Sequence, residues 1–309
     1  MRSIHLKLNP KFIICLAALF ATLVFLFVPQ QGQVAAQQQD ALYVTFIDVG
    51  QGDSSLLRTS NGTNILIDAG PTSAGQSVLS YLNSLGVTSL DVIIMSHNHA
   101  DHIGGLITIL QSEIQAGNVL YNGNSCTTVT CQNVWSAMAA RGIVPATAHA
   151  GDSYVWDTLT TTIVNPQLTP TGDENEDSIV MHVSFYDHSL IFTGDIGFST
   201  ETLLGNQGVL LPVDVLKVAH HGSAYSTSTE FLSAVNPQNA VISVGANNSY
   251  GHPNSDTLDR LAASGANLYR TDVDGNVTFS FIGGLDEEPY VSFTYLPLIL
   301  LESSPPPPP

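Results

Sequence analysis

Ser96-His97-Asn98-His99-Ala100-Asp101-His102 follows the buried-strand pattern of residues 90–95 and runs straight into Ile103-Gly104-Gly105-Leu106-Ile107. In extended backbone His97 and His99 project to the same side, because side chains alternate with period two. Asp101 and His102 can then face a second centre as the chain turns into a helix. Imidazole and carboxylate are the ligands that zinc, manganese and iron accept, and four of them within six residues would crowd at a cost that a metal relieves. A lone histidine is more often an ordinary packed or surface residue. Three with an aspartate, in this spacing and directly after a strand, reverse that reading.

Outward from this stretch, residues 42–47, 55–58 and 64–67 form short apolar runs, the last two separated by the Asn61-Gly62 turn, and they read as strands joined in hairpin fashion. Val78, Leu79, Leu82 and Leu85 recur at helical spacing. Strand patterns return at 179–185, 190–192, 213–218 and 240–244, with helical ones at 199–204, 228–235 and 254–263. Strands and helices therefore mix through both halves, which predicts sheets covered by helices.

The 309 residues carry 8 Lys+Arg against 26 Asp+Glu, a formal charge of −18, with 44% hydrophobic and 11% charged residues and 3 Cys. These values exclude a disordered polyelectrolyte, a collagen-like or coiled-coil rod and a disulfide-dense miniprotein. So acidic a chain has no broad attraction for phosphate backbones, which excludes a nucleic-acid coat function. Any chemistry on nucleic acid must rely on bound metal and local Arg or Lys.

Arg2, Lys7 and Lys11 precede a greasy run at 12–28, and Val34-Ala35-Ala36 follows it. This order predicts a secretory signal peptide over 1–36, cleaved after Ala36, and a secreted protein; a membrane anchor formed by 12–28 is the alternative. Export to an oxidising compartment predicts a local disulfide between Cys126 and Cys131. A hydrolase domain is assigned to 37–285, and 286–309 reads as an extension ending in an extended proline tail.

His97-Asn98-His99-Ala100-Asp101-His102 matches the HxHxDH signature of the metallo-β-lactamase fold superfamily. Four further stretches resemble the ComEC/Rec2-type competence metallohydrolase domain: Phe46 through Asp53, Ile65 through Gly70, Phe192-Thr193-Gly194-Asp195 and Leu216 through Ser223. Tyr250-Gly251-His252-Pro253 is a fifth. The multispanning channel of the competence proteins is not expected in this chain, and a signal peptide is expected in its place. The resemblance implies an α/β fold, a four-layer αβ/βα sandwich with a metal site at the strand ends.

It also implies a hydrolase that uses two divalent metal ions, zinc or manganese, to hold a bridging hydroxide. The substrate so implied is a phosphodiester, with DNA a candidate, because the competence-type domain is associated with degrading the non-transported strand. Phosphate esters of cell wall or lipid head groups, and a non-catalytic metal-binding module, are the alternatives.

Residue by residue, the resemblance makes His97, His99, Asp101, His102 and Asp195 ligands, Asp195 bridging, and gives Asp101 a catalytic role as well. His220 or His221 is the later ligand. Neighbouring strand residues face opposite ways, so one of the two binds and the other orients the site or touches substrate. Asp68 is expected to support the histidine loop by hydrogen bonds. Many members have a further His before the strand that leads to Thr-Gly-Asp; here that stretch is acidic, leaving Asp177 or His149 as substitutes. His252 is read as substrate-binding or as the proton donor to the leaving group. Asp53 belongs to a Gly-bearing turn on the opposite rim. Lys217 either contacts phosphate or stretches to solvent.

Overall fold

The computed structural model describes residues 39–284 and 289–294. The expected signal peptide and the proline tail lie outside them. The chain runs through β1 (Ala41–Phe46), β2 (Ser55–Thr59), β3 (Asn64–Ile67), α1 (Gly75–Ser84), β4 (Ser89–Met95), α2 (Ala100–Ile103), α3 (Leu106–Gln111), β5 (Gln115–Tyr121), α4 (Val129–Ala140) and β6 (Ala146–Thr147). It continues with β7 (Ser153–Trp156), β8 (Leu159–Asn165), β9 (Val180–Phe185), β10 (His188–Phe192), α5 (Phe198–Gln207), β11 (Val215–Lys217) and α6 (Thr229–Val235). β12 (Asn239–Ile242), α7 (Ser255–Ser264), β13 (Asn267–Arg270), α8 (Thr271–Asp274), β14 (Asn276–Ile282) and β15 (Tyr290–Thr294) complete it.

Two sheets result, in the orders β15-β14-β1-β2-β3-β4-β5-β6 and β13-β12-β11-β10-β9-β8-β7. β15 lies in the segment read as an extension and pairs antiparallel with β14. Alternation along each strand sorts the apolar residues into three separate cores. Ile65 and Ile67 of β3 and Val92 and Ile94 of β4 meet Met181, Val183 and Phe192 of the second sheet in the central core. Their neighbours Leu66 and Ile93 point the other way, onto Val78 and Leu82 of α1 and Val134 of α4. On the far side Val180, Ile191 and Leu216 pack under Leu204, Phe231 and Leu261 of α5, α6 and α7. Helices, sheet, sheet and helices are the four layers of the αβ/βα sandwich that the sequence resemblance implies.

Parallel pairing of β3 with β4 and of β10 with β11 brings the carboxyl ends of strands from both sheets to one edge. The loops that follow these strands carry the chemistry. Cys126 and Cys131 form a disulfide ahead of and within the first turn of α4. Among the described residues no helix is long and apolar enough to cross a membrane.

Candidate metal centre

β4 ends at Met95, and Ser96 and His97 are buried beneath the loop that leads into α2. Asp68, at the end of β3, anchors this loop. One of its oxygens accepts the Ser96 amide at 2.8 Å, and the other accepts the Ser96 hydroxyl at 2.6 Å and His102 Nδ1 at 2.8 Å. Asp68 thus ties the histidine loop to the end of β3. Gly52 holds the next turn against the same loop: its φ is +141°, and a Cβ there would overlap the Asp101 carbonyl oxygen. The Asp53 amide donates to that carbonyl at 3.1 Å.

From the second sheet, Asp195 follows β10 and is buried, its amide donating to Ser178 Oγ at 3.1 Å. Asp195 Oδ2 is the hub of the site. It lies 3.2 Å from His102 Nε2, 3.4 Å from His221 Nε2, 3.9 Å from His220 Nε2 and 4.0 Å from His97 Nε2. His99 is half-buried, its Nδ1 2.9 Å from His97 Nε2. Asp101 Oδ2, on the open side, is 3.4 Å from His221 Nε2. Of the sequence-assigned ligands, His97, His102, His220 and His221 therefore converge on Asp195 from both halves of the chain, while His99 adjoins His97 and Asp101 adjoins His221.

His220 and His221 require a correction. β11 ends at Lys217, and the two histidines sit not on a strand but in a turn, with φ/ψ of 50°/45° and 53°/23°. Two successive left-handed residues abolish strand alternation, so both rings turn toward Asp195 instead of facing opposite ways. Left-handed backbone costs a non-glycine residue on the order of 1 kcal/mol or more, strain of a kind concentrated at functional sites. Gly222, at φ +79°, lets the turn pack against Pro253.

Asp53 and Lys217 also stand differently from their sequence reading. Lys217 is buried and neither reaches solvent nor offers itself to phosphate; its ammonium ion-pairs with Asp53 Oδ2 and donates to the Gly194 carbonyl at 3.4 Å. Asp53 is no rim residue but is buried behind the imidazoles, 3.2 Å from His221 Nδ1 and 3.7 Å from His102 Nδ1. Asp53, His102, Asp195 and His221 place candidate ligand atoms within 4.8 Å of one another. The two aspartates nevertheless occupy different sides: Asp195 meets the Nε2 atoms, whereas Asp53 meets Nδ1 atoms already engaged by Asp68 and by the Ser243 carbonyl at 3.0 Å. Asp53 is thus placed to support the rings rather than to ligate.

Asp177 is not brought to the cluster. Its carboxylate accepts the amides of Thr171 and Gly172 at 2.7 and 3.0 Å and Asn124 Nδ2 at 3.2 Å, closing the acidic loop on itself. His149 is likewise outside the group, in the loop after β6, where its amide donates to Asp152. His252 does reach the site's edge, its ring centroid 5.6 Å from that of His220 and 6.3 Å from that of His221. Burial and the charges of His221 and His220 push it down to about 4. It is therefore uncharged at neutral pH, which suits hydrogen bonding to a substrate better than donating a proton.

Several participants carried no local signal. Ser178 Oγ lies 3.3 Å from His97 Nδ1, and the Ser243 carbonyl fixes His221 from another strand end. Glu174 accepts from the Asn98 amide and side chain, both at 3.3 Å, bracing the residue between His97 and His99. Only Ser96, adjoining the motif, could have been suspected from its position.

Electrostatics and unmet hydrogen bonding indicate that the residues fit a cation. Burial lowers His102 and His221, but the carboxylates around them outweigh it and raise both well above an ordinary histidine. Asp195 is pushed up by burial and pulled well below the carboxylate range by those same rings. Yet His102 Nε2, His221 Nε2 and Asp195 Oδ1 are buried without a hydrogen-bond partner. Buried polar atoms left so are costly, and lone pairs converging without hydrogen-bond geometry are what a metal satisfies.

The metallo-beta-lactamase superfamily model matches residues 47–246. The chain belongs to that superfamily. It is 34% identical over 239 residues to competence protein ComA of Neisseria gonorrhoeae, covering 76% of this chain and 32% of that protein. With ComE operon protein 3 of Bacillus subtilis it shares 28% identity over 285 residues, 87% of this chain and 35% of the relative. It thus spans about a third of the length of these superfamily relatives. The crystal structure of the metallo-beta-lactamase fold protein YhfI from Bacillus subtilis superposes with a TM-score of 0.52 at 13% identity, over 79% of this chain and all of that one. CmlA, a diiron β-hydroxylase from Streptomyces venezuelae, gives 0.52 at 13% identity, over 79% and 54%. Both likenesses concern the fold.

Proposed function

We propose that this superfamily member is an exported, metal-dependent phosphodiesterase with DNA-type phosphodiester bonds as its substrate class. The observation that carries the reading is the convergence of four imidazole Nε2 atoms within 4.0 Å of Asp195 Oδ2, two of them backed on Nδ1 by Asp68 and the Ser243 carbonyl. His97, His99, Asp101, His102, Asp195, His220 and His221 would hold a pair of divalent cations, zinc or manganese. When bound, such cations polarise the phosphate and ionise water at neutral pH.

The chain's own residues supply positioning. Asp68 and Ser243 fix ring orientation, Lys217 neutralises Asp53 beneath the rings, and the loop of His252 forms one edge of the mouth. His252, uncharged, can donate one ring N–H to a phosphate oxygen or accept a hydrogen bond from a leaving hydroxyl. The competence relatives favour a nucleotidyl substrate over head-group esters.

The test joins metal analysis to a substrate panel of bis-(p-nitrophenyl) phosphate, single-stranded DNA, a glycerophosphodiester and a β-lactam. Two equivalents of metal and cleavage of the first two substrates are expected. His99→Ala and Asp195→Ala should abolish cleavage while retaining the wild-type circular dichroism. Full metal binding with no cleavage of any ester would instead support a non-catalytic module of the same fold.

A further inference from the structure

The loop between β12 and α7 is tied together by Asn248. Its side-chain oxygen accepts the amides of Tyr250 and His252 at 3.0 and 3.1 Å, and its nitrogen donates to the carbonyls of Gly245 and His252. The loop abuts the Gln51-Gly52-Asp53 turn, where the Gly245 amide meets Gln51 Oε1 at 3.3 Å. So held, it presents the Tyr250 ring to solvent, 68% exposed, while that ring stacks on His252 with centroids 5.8 Å apart and planes 26° apart. Tyr250, His252 and His220 thus form a ladder of rings from open solvent to the candidate metal centre. Among the described residues the Tyr250 hydroxyl has no hydrogen-bond partner, so what the loop displays is a flat face.

A second observation concerns charge. Every Lys and Arg among the described residues is engaged by protein oxygen. Arg58 donates to the Leu85 carbonyl, Arg141 to those of Ile114 and Ser112, and Arg260 to those of Thr227 and Ser226. Arg270 pairs with Asp272, and Lys217 with Asp53. In a chain of formal charge −18 the backbone of a nucleic acid finds little to grip. A base does find something, because stacking on an aromatic face needs no charge.

We propose that Tyr250 is a base-stacking residue that selects nucleotidyl phosphodiesters with an unpaired base beside the scissile phosphate. This rests on the phosphodiesterase reading and deepens it. An unpaired base can lie on the ring, whereas a paired one is covered by its neighbours in the duplex.

The experiment compares the full-chain wild type, Tyr250→Ala and Tyr250→Phe on an oligothymidylate and on an abasic oligonucleotide of the same length, with metal content measured for each. Tyr250→Ala is expected to lose about 5- to 150-fold in kcat/KM on the oligothymidylate, mostly through KM, with metal content and the abasic rate unchanged. Tyr250→Phe should match the wild type. An equal loss on both oligonucleotides, or none on either, overturns the proposal. Anisotropy of a labelled oligothymidylate with the metal-free protein separates this from failure of the enzyme reading. If the wild type cleaves nothing, weaker binding by Tyr250→Ala than by Tyr250→Phe still supports the stacking face, and equal binding rejects it.

Discussion

Asp68 never touches the shared oxygen of Asp195, yet three hydrogen bonds from Ser96 and His102 end on it. Asp68→Asn keeps the shape but introduces donors where the pocket supplies only donors, so the His102 ring loses its fixed orientation. Metal affinity is expected to fall about 10- to 100-fold with the fold retained, as read by competition with a chromogenic chelator. His220 makes a different point at the same scale. Because its ring faces Asp195 and is partly open to solvent, His220→Ala should bind fewer than two equivalents of metal by elemental analysis while unfolding like the wild type. A full complement in that variant would confine His220 to contacts with substrate.

The segment from Asn122 to Cys131 braces the histidine loop without contributing a ligand. Asn98 contacts the Cys131 sulfur at 3.6 Å and donates to the Asn124 carbonyl, while Asn124 holds Asp177 and Asn122 meets Glu174. Replacing both cysteines by serine should lower unfolding free energy by about 2 kcal/mol in urea, as expected for a short cross-linked loop, and weaken metal binding through Asn98. Unchanged metal affinity would mean that Glu174 braces the loop unaided. At this scale much was legible. The Asn61-Gly62 hairpin, the helix of Val78 and Leu82 and the strand before the histidines all follow from period and turn residues. The hairpin of β7 and β8 was not, because it turns at Asp157, at φ +56°, without a glycine to announce it. Nor could spacing reveal that His220 and His221 leave the strand, since the turn they enter is closed by Gly222, which packs against Pro253, distant in sequence. Lys217 was misread for a related reason: its partner Asp53 lies in the turn between β1 and β2, strands of the other sheet.

For the whole molecule, the buried charges set a pH profile that metal should reshape. In the metal-free protein Asp101 is lowered to about 2, because although burial raises it, the adjacent His221 ring and the charges of His102 and His221 lower it further; Asp53 and Asp195 are lowered as well. Their contribution is present above the unfolded carboxylate value near 4 and is lost as pH falls through the folded values. His102 and His221 are raised, so theirs is present below about 6.5 and is lost as pH rises through their folded values. Burial lowers His97, His182, His220 and His252, so their contribution is lost as pH falls below about 6.5, and chelated protein should therefore melt highest at roughly pH 6.5. Loaded protein should keep its melting temperature on the alkaline side, where cations replace the ring protons. Scanning fluorimetry across pH 3–9 checks this, and coincident curves would contradict it. The distribution of the donors has one more consequence. Since His97 through His102 hang from one sheet and Asp195 with His220 and His221 from the other, an ion bound there would work as a rivet through both leaves of the sandwich. Prising the leaves apart must first shear it, so loading should prolong the lifetime of the native state well beyond any quickening of its assembly.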